Sequence, residues 1–198
     1  MRAKVIELVP RLREAGISTI LGVVDWDGHD HRTLPTGVRA IADGARYSLE
    51  NIFLDPLLIA FVLARTEPGR TDLGVPSSRY LDGLDNDQLQ TLINSIVAKI
   101  AACRPSGRVL AEDPMEAAYI GGRRLKLPAW VLLTRGHDYA EYVLAAFPYL
   151  RQFRAGPNNE PADQLVGGIA AHILVDAVDY VPDCVLSLFS ALQAVQPI

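Results

Sequence analysis

"STILGVVDWDGHDH", residues 18–31, decides how the chain is read. Residues 18–24 form a short β-branched run without polar alternation, the pattern of a strand covered on both faces in a parallel α/β sheet. The run ends in Asp25-Trp26-Asp27-Gly28, with His29, Asp30 and His31 directly after. Desolvating a carboxylate costs several kcal/mol, so acids against a buried strand need a reason. In a strand, residues i and i+2 share a face with Cα atoms roughly 6.5 to 7 Å apart. Asp25 and Asp27 are then expected to aim together across the carboxyl end of the strand, where open α/β sheets keep their ligand crevices. Trp26 turns to the opposite side, into the core. Two such carboxylates repel unless a cation lies between them, and Mg²⁺ suits oxygen ligands of this kind. The alternative is a solvated turn in which Asp-Gly serves the backbone.

Upstream, Val5, Leu8, Val9 and Leu12 follow helical spacing and Gly16 supplies a stop. Downstream, 28–37 reads as loop, Val38–Ala42 as one helical turn, and ARYSL (45–49) as a second strand. Ser48 and Glu50, two apart at the end of that strand, bring another acid to the same crevice. A helix begins at Asp55-Pro56, and the Gly-, Pro- and Ser-rich stretch 66–84 reads as loop. Asn86–Cys103 reads as a helix capped by Asp85 or Asn86. Gly121-Gly122 marks a hairpin near 115–127. Gly136 opens a further helix that ends near Pro148, and two last helices follow, roughly Asp163–Val178 and Pro182–Val195. The expected organisation is an α/β portion over 1–65 continuous with a mainly helical region over 66–198 that contains the hairpin.

With 198 residues, 49% hydrophobic and 21% charged, the chain can bury a substantial core. A net charge of -4 argues against a duplex-coating basic protein. Cys103 and Cys184 lack CxxC spacing and read as core thiols of a reducing compartment. No stretch reaches the ~18 apolar residues of a membrane span, and the amino terminus lacks a signal-peptide pattern, so a cytoplasmic protein is expected.

The order of an apolar strand, Asp25-Trp26-Asp27, a loop, then Arg46-Tyr47-Ser48-Leu49-Glu50-Asn51 and Ile52-Phe53-Leu54-Asp55 resembles the Toprim domain of OLD-type nucleases. It is most similar to the related Toprim-like proteins of unknown function, some of which serve in anti-phage defence. The resemblance spans Ile20 to Arg65. It implies a parallel Toprim-like sheet, with Asp25, Asp27 and Glu50 as ligands of Mg²⁺ or Mn²⁺ and Ser48 as an additional ligand. It further implies hydrolysis of nucleic acid, DNA or RNA, and an ATPase partner protein. Such proteins often carry a Gly-Lys or Gly-His dipeptide between an extended segment and a helix, the position of Gly136-His137. His137 is thereby a candidate to contact phosphate or to act as a general acid. Toprim domains also carry, ahead of this first helix, a strand ending in glutamate. Glu7, with helical spacing, does not match it, so the resemblance implies an N-terminally truncated sheet without that acid. A start placed too far downstream, a fragment needing another polypeptide, and a domain that binds without cleaving all remain open.

Other readings compete. DWDG resembles the first motif of haloacid-dehalogenase-type phosphatases, in which the first Asp is the nucleophile, but His29 stands where that family has Thr. Asp27-Gly28-His29-Asp30-His31 resembles the D-x-H-x-H motif of amidohydrolases, whose barrels draw ligands from later strands. Only His137 and His172 follow in this chain. A non-catalytic Toprim-derived binding or interaction module is the main alternative. In it, Arg123, Arg124, Lys126, Arg151 and Arg154 are either phosphate contacts or a solvated face.

Overall fold

The computed structural model describes residues 2–28, 33–42, 44–105, 111–153, 162–186 and 190. Helix dominates these residues, and their strands form two separate two-stranded sheets in a mixed α/β protein. Helix α1 (Arg2–Glu14) ends ahead of Gly16. Strands β1 (Gly22–Asp25) and β2 (Val38–Ile41) pair in parallel, with Gly22 opposite Val38 and Asp25 opposite Ile41. Helix α1 covers this sheet, and Val9, Val24 and Val38 form a small core with Val5 and Ile6 packed against it. Gly22 permits the close approach, because a Cβ there would lie 2.8 Å from Val9 Cγ2. Leu8, expected on the apolar face, is exposed instead.

Two neighbouring elements exchange the roles the sequence suggests. Val38–Ile41 is a strand and not a helical turn, because Val38 and Ile41 are both buried and bracket a pleated pair. The ARYSL stretch is not a strand. The chain is extended at Ser48 (φ −155°, ψ 178°) and then enters helix α2 (Leu49–Phe53) with Ser48 as its N-cap. The Ser48 side chain does not cap the helix; Asp25 accepts from Leu49 N in the first turn, and Glu50 there complements the amino-terminal dipole. Glu50 therefore stands on a helix and not at the end of a second strand.

Helix α3 (Pro56–Ala64) is buried at every position, as an all-apolar helix must be. Asp55 caps it by accepting from Leu57 N at 2.8 Å, and Pro56 occupies a first-turn position that needs no donor. The expected loop 66–84 holds helix α4 (Glu67–Leu73) and a 3₁₀ segment, Ser78–Gly83. Thr66 caps α4 by accepting from Gly69 N at 3.0 Å, and Gly74 at φ +65° ends it, so the turn-formers are helix punctuation here. Helix α5 (Asn86–Ala102) starts with a capping box between Asp85 and Gln88. Strands β3 (Pro114–Ala118) and β4 (Arg124–Pro128) form an antiparallel hairpin, with Gly122 at φ +81° in its turn.

Helices α6 (Ala129–Leu133), α7 (Gly136–Ala146) and α8 (Ala162–Asp176) complete the described elements, along with 3₁₀ segments at Pro148–Phe153 and Val178–Tyr180. Helices α4, α5 and α8 pack on α3, while α7 packs on α2 and α5. Most of the Pro182–Val195 helix expectation falls outside the described residues. Cys103 and Cys184 are half-buried and not joined in a disulfide, and Cys184 packs against the main core. Among the described residues no helix is long and apolar enough to cross a membrane.

Candidate functional site

A cavity of about 590 Å³ opens where the carboxyl end of β1 meets the amino-terminal ends of α2 and α7. Asp25, Asp27, Ser48, Glu50 and His137 all line it. They reach it by a different route from the one the strand spacing suggests.

Asp25 closes β1, and its Oδ1 accepts from Leu49 N at 3.1 Å. That N–H is one of the first-turn donors a helix leaves without an internal partner, so the β1 acid ties the sheet to α2. Asp27 lies beyond the strand with φ +53°, and its N–H donates to Tyr47 O at 2.9 Å. Asp27 thus reaches the cavity from a left-handed turn past the end of β1 and not from the strand's pleat, and both aspartates line it. Trp26 is half-buried and belongs to neither hydrophobic cluster. Its ring stands edge-on to Tyr47, with centroids 6.4 Å apart, which corrects its expected place in the core.

Glu50 is nearly buried, and its Oε2 lies 2.6 Å from Ser48 Oγ. Ser48 Oγ is also 2.9 Å from Oδ1 of Asn51, a residue wholly out of solvent. The Asn51 amide donates to Val131 O at 2.9 Å and to Thr134 O at 3.1 Å, which locks α2 to the segment leading into α7. Arg46 donates to Asn51 O and pairs with Asp55 at 2.7 Å, and the Tyr119 hydroxyl donates to the same carboxylate. Burial alone would lower Arg46, but the facing Asp55 carboxylate carries it above its ordinary value. Burial, and then the Asp55 charge, push the Tyr119 hydroxyl well up. The pocket floor therefore rests on a satisfied, charged cluster behind it.

Gly136 begins α7 directly against Glu50. A Cβ at this position would stand 2.7 Å from Glu50 Cδ and closer still to Oε2 and to Ser48 Oγ. His137 follows at the rim, its imidazole exposed and Nδ1 3.6 Å from Glu50 Oε1, an ion pair when the ring is protonated.

Among the described residues, no three His, Cys, Asp or Glu side chains stand close enough together to hold a metal ion. The expected convergence of Asp25, Asp27 and Glu50 on one ion is thus not preformed, for Glu50 comes from a helix start and is held toward Ser48. The donor set still fits Mg²⁺ or Mn²⁺ in chemistry. It consists of oxygens on an open pocket, and Mg²⁺ is commonly held by one or two carboxylates with waters and substrate phosphates.

Sequence reasoning missed Asn51, Tyr47 and Arg135. Asn51 had a readable signal in its place directly after Glu50. Arg135, the exposed N-cap of α7, lines the cavity beside His137. His29, Asp30, His31 and Arg154 lie outside the described residues. Arg124 pairs with Glu116, and Arg123 donates to Leu84 O and lies over the Tyr180 ring. No family profile, curated protein or solved structure matches the chain.

Proposed function

We propose that the chain is a Toprim-like, Mg²⁺- or Mn²⁺-dependent nuclease that hydrolyses phosphodiester bonds in DNA or RNA, in the cytoplasm and beside an ATPase partner. The observation that carries this reading is the gathering of Asp25, Asp27, Ser48, Glu50 and His137 around one open cavity. Asp25, Asp27 and Glu50 would hold the divalent ion, with Ser48 supporting Glu50. Once bound, the ion neutralises phosphate charge and lowers the pKa of a bound water. Asp25 and Asp27 supply the negative charge that draws the cation to the end of β1. His137 stands exposed beside Glu50, where a protonated imidazole can donate to a leaving oxygen. Arg135 adds a positive charge at the rim for a neighbouring phosphate.

A second reading, a Toprim-derived module that binds without cleaving, is favoured by the lack of a three-ligand cluster among the described residues. A Mn²⁺ titration of the wild-type chain and of Asp25→Ala/Asp27→Ala, run alongside cleavage of single-stranded and duplex substrates, separates the readings. Binding and cleavage that both vanish in the double variant support the nuclease. Nucleic-acid binding without cleavage, and without dependence on the aspartates, supports the module. Equal and negligible Mn²⁺ binding by both chains returns Asp25 and Asp27 to a turn and a helix cap. Phosphomonoester hydrolysis that depends on Asp25, without nuclease activity, would place the phosphatase reading first.

A further inference from the structure

The cavity lining is not acidic alone. Val23, two positions before Asp25 on β1, and Leu49, whose N–H donates to Asp25, expose 38% and 39% of their surfaces, and Tyr47 lines the cavity with them. Solvated aliphatic groups and an aromatic ring beside three carboxylates are not explained by cation binding, which uses oxygens alone. Tyr47 is not a core residue either, for it stands outside both hydrophobic clusters. Its backbone is fixed from both directions. Its N–H donates to Leu132 O at 2.9 Å and its carbonyl accepts from Asp27 N at 2.9 Å. Its ring is braced edge-on by Trp26, with centroids 6.4 Å apart. A rigidly held aromatic ring is a low-entropy contact surface for another flat ring.

From this juxtaposition we infer that Tyr47, Val23 and Leu49 together take an unpaired nucleobase in the cavity, so that the substrate is single-stranded nucleic acid. The inference rests on the nuclease reading and gives it a substrate class. A nucleotide matches both kinds of lining at once: its base lies on the apolar groups, its phosphate faces the neighbouring acids that would hold the cation, and the next phosphate reaches Arg135. The cavity has the volume of a small-molecule site. A duplex presents its bases stacked and paired, and extracting one costs a few kcal/mol that a single strand does not incur. Stacking on an aromatic side chain is tolerant of base identity, so little sequence preference is expected.

The test is a set of fluorescence-anisotropy titrations with an end-labelled oligothymidylate, the same strand containing an abasic run, and a blunt duplex of equal length, all at one salt concentration. Ca²⁺ replaces Mg²⁺ to slow cleavage. The single strand is expected to bind about tenfold or more tighter than the duplex. Tyr47→Ala should weaken single-strand binding roughly 5- to 100-fold, the range of one lost base stack, and leave the abasic strand's affinity little changed. Tyr47→Phe, which keeps the ring face, should recover the oligothymidylate affinity. Thermal melting of each variant establishes that the fold is retained. If a folded Tyr47→Ala binds the single strand like wild type, or the duplex binds as well as the single strand, the substrate inference is wrong. If in that case cleavage still depends on Asp25, the nuclease reading survives alone. If no polynucleotide of either form binds, both fall together.

Discussion

Gly136 touches Glu50 so closely that the first residue of α7 has no room for a side chain: a Cβ would come within 2.7 Å of Glu50 Cδ. The obstructing atoms are ends of side chains, so Gly136→Ala can be accommodated by swinging the Glu50 carboxylate out of its place. Overpacking of this kind costs about 1 to 3 kcal/mol. The expected result is a modest fall in melting temperature and a larger proportional fall in Mn²⁺ affinity. Gly69→Ala is the contrast, because its Cβ would meet the backbone of Leu63, which cannot swing aside. There the loss should appear in stability and leave the metal affinity of the folded fraction intact.

Asp25 has two separable tasks, capping α2 and drawing a cation. Asp25→Asn keeps an oxygen to accept from Leu49 N and removes the charge, whereas Asp25→Ala removes both. Loss of a capping acceptor typically costs about 1 kcal/mol. Urea unfolding should therefore find Asn close to wild type and Ala about 1 kcal/mol less stable, while both lose Mn²⁺ binding. If Asn binds Mn²⁺ as tightly as wild type, Asp25 is a structural cap only.

The buried pair of Arg46 and Asp55 makes a sharper stability test. Both side chains are almost wholly out of solvent, and Arg46 also holds Asn51 O. Removing one member leaves the other charge unpaired, an effect of about 3 to 5 kcal/mol. Asp55→Ala also removes the α3 cap and the acceptor of Tyr119. Chemical denaturation should show Asp55→Ala as severely destabilised. Arg46→Met/Asp55→Leu should be less harmful than Asp55→Ala alone, because no charge is then stranded. The reverse order would show that the pair is not the source of the loss.

Much of this architecture is readable from local chemistry, and its exceptions have physical causes. Asp85 and Gln88 announce the start of α5, and Gly121-Gly122 the hairpin turn. Asp25, Asp27, Ser48 and Glu50 are legible as a group because acids beside a buried strand are costly. The secondary structure that carries them is not. Val38–Ile41 is a strand because α1 and the main core cover its two ends, and ARYSL stops being extended because Asp25 supplies an acceptor to Leu49. Both facts depend on partners distant in sequence. Asn51 acts through Val131 and Thr134, eighty and more positions away, which no local pattern records. In 66–84 the same Gly and Pro residues that end a helix also start one, so composition alone reads as loop where Thr66 and Gly74 in fact bracket α4.

Two buried tyrosines at the centre of the fold, Tyr119 and Tyr139, contribute to its stability at alkaline pH. Tyr119 and Tyr139 are almost wholly out of solvent, and their hydroxyls donate to Asp55 and to Leu54 O. Burial first, and the Asp55 charge second, hold both above the ordinary tyrosine value. The unfolded chain releases these protons near pH 10 while the folded chain retains them, so the folded state binds more protons above that point. Stability is then full below about pH 10 and falls as pH rises toward the folded-state values, by up to about 1.4 kcal/mol per pH unit for each tyrosine. Urea unfolding at several values above pH 10 should show that slope, with Tyr139→Phe removing one tyrosine's share. Tyr139→Phe forfeits one hydrogen bond at neutral pH, so the comparison is of slopes and not of absolute stabilities. An unchanged alkaline slope in Tyr119→Phe/Tyr139→Phe would assign the alkaline loss to other groups.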